Sequence, residues 1–244
     1  MDKRLNILIS NDDGINADGI IRLARMAVEL GDVWIAAPSS QCSAMSQKLT
    51  IFSTIAVQQV DFPAPVKAAY SIDGTPTDCV SLAVARLLPV KPDIVLSGIN
   101  YGYNAGFDIA YSGTIGAATE AVMRGIPAIA FSEQHDGVHE VADKYMLPLA
   151  RELIAKPHVP GELWNINFPG CPLDELRGTL FDREIARRCL YENVYTEDTT
   201  ADGRRGYHLH SKPIAPEDAP EGSDACAVLS GYISVGKVKC RVMV

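Results

Sequence analysis

The amino-acid sequence predicts an α/β fold with a mostly parallel sheet flanked by helices, and two observations predict it. Short runs of leucine and β-branched residues carry no polar alternation, the pattern of strands buried on both faces. Between the first two such runs, apolar residues recur at helical spacing. Strand, helix and strand thus fit within about forty residues, the size of a right-handed βαβ unit.

The first strand, Leu5-Asn6-Ile7-Leu8-Ile9, stops abruptly at Ser10-Asn11-Asp12-Asp13-Gly14. In an open parallel sheet, ligands sit just outside the carboxyl ends of the strands, which is where Asp12 and Asp13 fall. Two neighbouring carboxylates repel and lose hydration there, so a divalent cation is the simplest compensation. The competing reading is a capped turn, since Asn, Asp and Gly are common turn residues.

A one-faced helix follows from Asp18, with Ile20, Leu23, Ala24, Ala27 and Leu30 on its apolar side and Gly31 as its stop. Val33-Trp34-Ile35-Ala36-Ala37 is the second buried strand, ended by Pro38, and a polar loop from Ser39 to Lys48 leaves the same sheet edge. Leu49 to Val60 and Val66 to Ile72 read as extended segments joined through Pro63 and Pro65. The turn Gly74-Thr75-Pro76-Thr77-Asp78 feeds a helix that includes Val80, Leu82, Ala83 and Leu87.

Asp93-Ile94-Val95-Leu96-Ser97 is a further strand, and Gly98 to Asp108 reads as a loop rich in glycine and asparagine. Tyr111-Ser112-Gly113-Thr114 opens a helix that closes at Gly125, before the strand Ala128-Ile129-Ala130-Phe131. Its hydroxyls and free N–H groups suit a phosphate. His139 to Ile154 reads as a helix kinked or broken at Pro148, and Leu163 to Pro169 as a last core strand. Charged residues from Arg177 to Tyr207 read as a projecting β-rich arm turned at Asp202-Gly203. A helical turn and the strand Tyr232-Ile233-Ser234-Val235 close the chain.

We therefore expect a catalytic core over residues 1–170, and over 171–244 an arm and closing strand of the same domain. With 244 residues and 47% hydrophobic content the chain has ample core without staples. The six cysteines are scattered without C-x-x-C spacing, which fits free thiols in a reducing cytoplasm rather than a zinc ribbon or disulfide scaffold. No signal-peptide core and no membrane-length apolar run occurs. A net charge of -8 disfavours binding to a nucleic-acid polymer, but not a small anion held by a metal or by backbone dipoles.

Strand ends thus deliver Asp12 and Asp13, then Ser43 or a neighbouring serine, then Asn100. Carboxylates, hydroxyl and amide oxygen are hard ligands, suited to Mg²⁺, Mn²⁺ or Ca²⁺ rather than zinc or copper. Other patterns fall short. Gly231 to Val238 nearly forms a phosphate-binding loop but lacks its hydroxyl, and His139-Glu140-Val141-Ala142-Asp143 lacks the second histidine of a zinc-protease helix. His208 and His210 read as solvent-exposed on a hairpin strand, Gly98, Gly102 and Gly106 do not space as a dinucleotide fingerprint, and no serine-hydrolase elbow occurs.

Ile9-Ser10-Asn11-Asp12-Asp13-Gly14, Ala37-Pro38 with Ser43, Gly74 to Val80, Ser97-Gly98-Ile99-Asn100-Tyr101-Gly102 and Tyr111-Ser112-Gly113-Thr114 resemble, in order, the motifs of the SurE family of stationary-phase survival nucleotidases. The resemblance extends to Asn165-Ile166-Asn167-Phe168-Pro169 and to Ser223-Asp224 through Val235. It implies a Rossmann-like fold and a metal-dependent phosphatase for nucleoside 5'-monophosphates, with side activity on 3'-nucleotides or short polyphosphate. One divalent cation per subunit, Mg²⁺ or Mn²⁺, would be held by Asp12, Asp13, Ser43 and Asn100, with Asn104, Ser112, Gly113 and Thr114 at the phosphate.

In that reading the cation polarises the phosphate ester and acidifies a water, and Asp12 or Asp13 accepts the proton or attacks phosphorus itself. The family also exchanges C-terminal elements between subunits, giving homodimers or homotetramers. Two departures stand out: Cys42 occupies the place of a usual arginine, and Gly236-Lys237-Val238 replaces a Thr-Pro segment and terminal helix. They keep open the alternative of a non-catalytic nucleotide-binding or interaction protein that retains the site.

Overall fold

The computed structural model describes residues 4–134 and 138–240. Along the chain come β1 (Leu5–Ser10), α1 (Asp18–Ala27), β2 (Gly31–Pro38), β3 (Val57–Val60), β4 (Ala68–Ile72), α2 (Pro76–Leu82), β5 (Ile94–Tyr101), α3 (Gly113–Met123), β6 (Ala128–Glu133) and α4 (Glu140–Ile154). β7 (Glu162–Phe168), β8 (Thr179–Arg183), β9 (Tyr191–Thr199), β10 (Arg205–Pro213), α5 (Asp224–Leu229) and β11 (Ile233–Lys239) complete it.

Among the described residues, the main sheet runs β3-β4-β2-β1-β5-β6-β7-β11-β8. β4, β2, β1, β5, β6 and β7 are mutually parallel, whereas β3 and β11 pair antiparallel to β4 and β7. From β1 the chain winds outward through α1 to β2 and β4, then returns through α2 to β5 on the other side of β1. That reversal opens a crevice between the carboxyl ends of β1 and β5, the place where such sheets bind ligands.

The non-alternating strand composition has its reason in the two cores. Ile7 and Ile9 of β1 pack in a cluster with Ile20 and Leu23 of α1 and Val141 and Met146 of α4. Leu8 faces the opposite side, with Val80 of α2 and Ile115, Ala118 and Val122 of α3. Both faces of β1 are covered, so Ile7, Leu8 and Ile9 are all apolar, and the polar Asn6 and Ser10 stand toward its ends. The stacked rings of Phe131 and Phe168, 6.4 Å apart, join β6 and β7 on the first side.

Several boundaries differ from the sequence reading. Gly31, expected to stop a helix, begins β2, and a Cβ there would lie 2.1 Å from the Leu5 carbonyl oxygen of β1. Of the segment from Leu49 to Val60, only Val57–Val60 finds a strand partner, and Ile51 and Phe52 stay 71% and 96% exposed. The helix entered at Pro76 is α-helical to Leu82 and finishes in a wider π turn over Ala83–Leu87. β5 does not end at Ser97: it continues to Tyr101 through an irregularity between Ser97 and Asn100, so Asn100 lies on a strand.

Pro148 does not break α4; it is exposed, and the carbonyl it cannot serve belongs to exposed Lys144, where water can take the missing hydrogen bond. The arm is narrower in one direction and longer in another than expected. Thr179–Arg183 pairs with β11 in the main sheet, and the hairpin proper runs from Tyr191 past Tyr207 to Pro213. The closing strand likewise reaches Lys239, carrying Gly236 and Lys237 in its pairing with β7. Among the described residues, no helix is long and apolar enough to cross a membrane.

Candidate functional site

Asp12 stands two residues beyond the end of β1 and is 3% exposed. Its Oδ1 accepts a hydrogen bond of 2.5 Å from the Thr114 hydroxyl in the first turn of α3. A Cβ on Gly113 would lie 2.7 Å from the Asp12 Cβ, so only glycine lets the carboxylate sit this close to the helix N-terminus. Burial pushes the Asp12 carboxyl from its ordinary 3.8 to about 6; the Thr114 hydrogen bond works against this rise and the Asp13 charge adds to it.

Asp13 is half-buried and its Oδ2 accepts from the Tyr101 backbone N–H at 3.2 Å. The two carboxylates therefore tie β1 to different partners, Asp12 to α3 and Asp13 to the end of β5. Asn100 donates its side-chain N–H to the Gly102 carbonyl at 2.7 Å. That commits the amide nitrogen and leaves Oδ1 as the atom this residue can offer a cation.

Ser43 arrives on the loop after β2, and its hydroxyl oxygen accepts from the Gln41 side chain at 3.1 Å. Two backbone hydrogen bonds hold the loop over the crevice, Cys42 N–H to the Asp12 carbonyl at 2.7 Å and Ser46 N–H to the Tyr111 carbonyl at 2.9 Å. Its tight path puts Ala44 and Ser46 at φ of 58° and 50°, left-handed conformations that L-residues adopt only under constraint. Cys42, where the resemblance leads us to expect an arginine, is turned inward, its thiol donating toward the Ser40 and Gly74 carbonyls. Burial first, then the Asp12 charge, push that thiol's pKa up, so it stays neutral and supplies no positive charge.

Ser112 caps α3, its hydroxyl accepting from Ile115 N–H at 3.1 Å. Asn104 is buried among amides: its N–H donates to Asn167 Oδ1 at 2.8 Å, its side chain donates to Ser132 at 2.8 Å, and its carbonyl accepts from Asn165 and Asn167. Asp12, Ser43, Asn100, Asn104 and Ser112 all line one cleft of about 770 Å³. Asp13, Gly113 and Thr114 do not line it; Gly113 and Thr114 are buried, and half-buried Asp13 adjoins Asp12.

The other wall is one the sequence reading did not assign. It comes from the β9–β10 hairpin, through Tyr191, Asn193 and Tyr195 on one strand and Leu209 and Ser211 on the other. The signal was present as a period of two, but without the pairing register nothing marked which face of the hairpin turns inward. The hairpin root is stapled to the loop after β5. Asp108 Oδ2 accepts from Leu190 and Tyr191 N–H at 2.5 and 3.1 Å, and the Tyr191 hydroxyl accepts from Tyr103 N–H at 2.9 Å.

Chemically, the crevice gathers two carboxylates, a hydroxyl and an amide oxygen beside the positive end of a helix dipole. Among the described residues no group of three or more His, Cys, Asp and Glu side chains is placed to hold a metal ion. A cation here would depend on neutral oxygens to complete its shell, as hard divalent ions do.

The model of the family described as Survival protein SurE matches residues 7–190. A protein of Heliobacterium modesticaldum named 5'-nucleotidase SurE is 37% identical over 233 residues, covering 95% of this chain and 85% of its own length. A Pelobacter propionicus protein of the same name is 37% identical over 234 residues, covering 95% and 92%. The crystal structure of the SurE protein from Aquifex aeolicus superposes with a TM-score of 0.80 at 32% identity, over 96% of this chain and 93% of that one.

Proposed function

The chain belongs to the SurE family, and from that premise we propose that it is a metal-dependent phosphomonoesterase cleaving nucleoside 5'-monophosphates to nucleoside and phosphate. The observation that carries this reading is the convergence of Asp12, Asn100 and the α3 N-terminus on one cleft of about 770 Å³. A cleft of that size suits a molecule as large as a nucleotide.

The residues fit a divalent cation. Asp12 is buried beside a second carboxylate, and both burial and that neighbour oppose its ionisation, a cost that a bound cation offsets. In this reading Asp12, Asp13, Ser43 and Asn100 hold the ion, and the oxygen donor set favours Mg²⁺ or Mn²⁺. When bound, the ion supplies Lewis-acid polarisation of the phosphate and an acidified water.

The chain's own groups do the rest. Thr114 fixes the Asp12 carboxylate, and the Tyr101 N–H fixes that of Asp13. Backbone N–H groups at the start of α3, with Ser112 at its cap, stabilise the negative charge that grows on the phosphoryl oxygens. Asn104, held rigid by Asn165, Asn167 and Ser132, orients the phosphate from the opposite side. One carboxylate of the pair receives the proton released by the attacking water.

Phosphate release from a panel of nucleoside monophosphates, with Mg²⁺, with Mn²⁺ and with EDTA, tests the reading. Metal-dependent turnover abolished by the chelator is expected; binding without release under every metal would overturn it in favour of a nucleotide-binding protein, a role the nucleotidase relatives do not favour. The same reading includes assembly into homodimers or homotetramers, supported by the exposed Ile51 and Phe52, and sedimentation reads the mass directly.

A further inference from the structure

We propose that the cleft-facing side of the β9–β10 hairpin is the nucleoside-recognition surface, with Tyr195 and Leu209 as the platform for the base and Asn193 and Ser211 as the rung that meets the sugar. The inference rests on the nucleotide reading above and names the part of that site that selects the substrate.

The pairing register puts Tyr191 opposite Pro213, Asn193 opposite Ser211 and Tyr195 opposite Leu209. All six have odd numbers on strands of period two, so they share one face, and all six line the cleft with Asp12 and Asn100. From root to tip the face reads as three rungs. The Tyr191 hydroxyl docks on Tyr103 N–H at 2.9 Å, fixing the first rung to the core. In the second, the Ser211 hydroxyl donates to Asn193 Oδ1 at 2.6 Å, leaving the Asn193 amide N–H groups and the Ser211 lone pairs to a ligand.

The third rung is apolar and open. Tyr195 is 66% and Leu209 49% exposed, on the rung farthest from the hairpin root among those that line the cleft. The opposite face of the hairpin is mostly polar and charged, with Glu192 paired to Lys212, His208 near Asp198, and Thr196 bonded to His210. A solvated ribbon would show the same character on both sides. Here the three rungs that line the cleft are neutral and tyrosine-bearing, the paired Glu197 and Arg205 lying further toward the tip of the same face, which suits the uncharged end of a nucleotide, while the charged end meets the carboxylate pair and α3. Aromatic side chains are tolerant base platforms because every base has a π-face.

Steady-state kinetics with Mn²⁺ on two substrates, a nucleoside 5'-monophosphate and ribose 5-phosphate, separate base, sugar and phosphate. Tyr195→Ala and Leu209→Ala should each raise KM for the nucleotide, Tyr195→Ala by about tenfold, with kcat held within about twofold and ribose 5-phosphate unaffected. Tyr195→Phe should restore the KM, and Val194→Ala on the outer face should change nothing. Asn193→Ala with Ser211→Ala should weaken both substrates, since both carry the sugar.

Unchanged nucleotide KM in Tyr195→Ala, with wild-type hydrolysis of both substrates intact, overturns this inference and leaves the phosphatase reading standing. Equal losses on the two substrates also overturn it, as a merely structural effect. A lower sedimentation mass in Tyr195→Ala would reassign the rung to contact with a second copy of the chain. No hydrolysis of either substrate by the wild type, with any metal, takes down both readings.

Discussion

Replacing Asp12 by Asn should stabilise the metal-free protein while abolishing its activity. The carboxyl is 3% exposed and is pushed from 3.8 to about 6, first by burial. A rise of that size means that ionising Asp12 in the folded state costs about 3 kcal/mol more than in the unfolded chain. The sign follows from the raised value. Below pH 3.8 both states hold the proton and nothing is lost; between there and about 6 the unfolded chain ionises first, and above about 6 the loss is complete.

Asn keeps an oxygen to accept from Thr114 but carries no charge, so it escapes the penalty. Urea unfolding in EDTA should show Asp12→Asn more stable than wild type by about 1–3 kcal/mol at pH 7.5, and the two nearly equal at pH 4. Saturating Mn²⁺ should then reverse the order, because a ligand present at a thousand times its Kd stabilises wild type by about 4.1 kcal/mol and the variant hardly at all. A variant no more stable than wild type in EDTA at pH 7.5, or one that retains turnover, refutes the argument that Asp12 is a strained carboxylate kept for a cation.

Metal affinity measured by calorimetry should fall as pH drops through about 6, by about tenfold per unit below it, because a protonated Asp12 no longer binds the ion. Thr114→Val removes the donor that opposes the Asp12 rise, so kcat/KM should drop about 10- to 100-fold and the acid limb of the pH–rate profile should move upward. Asp78 is pushed up by burial, but bonds from Thr50 and Thr75 outweigh that and hold it below the usual carboxylate range. Asp78→Asn should therefore cost about 1–2 kcal/mol at pH 7, a difference that vanishes in acid as the wild-type carboxylate protonates. Asp224→Ala should unfasten the arm, since its carboxylate accepts from Gly106 and Ala186 N–H. A loss of about 3 kcal/mol and faster hydrogen exchange at those two amides are expected.

How far residues alone could be read differs from element to element for physical reasons. β1 and β6 were legible because burial on both faces demands unbroken apolar runs, and a run that stops at Asp12 and Asp13 states where the strand ends. Leu49 to Val60 misled for the converse reason: alternation and β-branching describe what a strand needs, not whether a neighbouring edge is free to pair with it. Asn100 was found as a polar residue after a strand, yet its place on β5 depends on an irregularity set by contact with β6. Ser112 was recognisable as a helix entry; that Thr114 serves Asp12 follows only once α3 is docked against β1.

By itself the sequence determined the α/β class, the carboxyl-edge loops and the residue types that can hold a hard cation, because these follow from local periodicity and side-chain chemistry. The tertiary structure alone decided which of two adjacent carboxylates is buried, and that Cys42 turns away from the crevice. It also decided that Tyr195 and Leu209, about a hundred positions from Asn100, share its cleft. Those outcomes depend on strand order and register between distant segments, and no run of neighbouring residues encodes either.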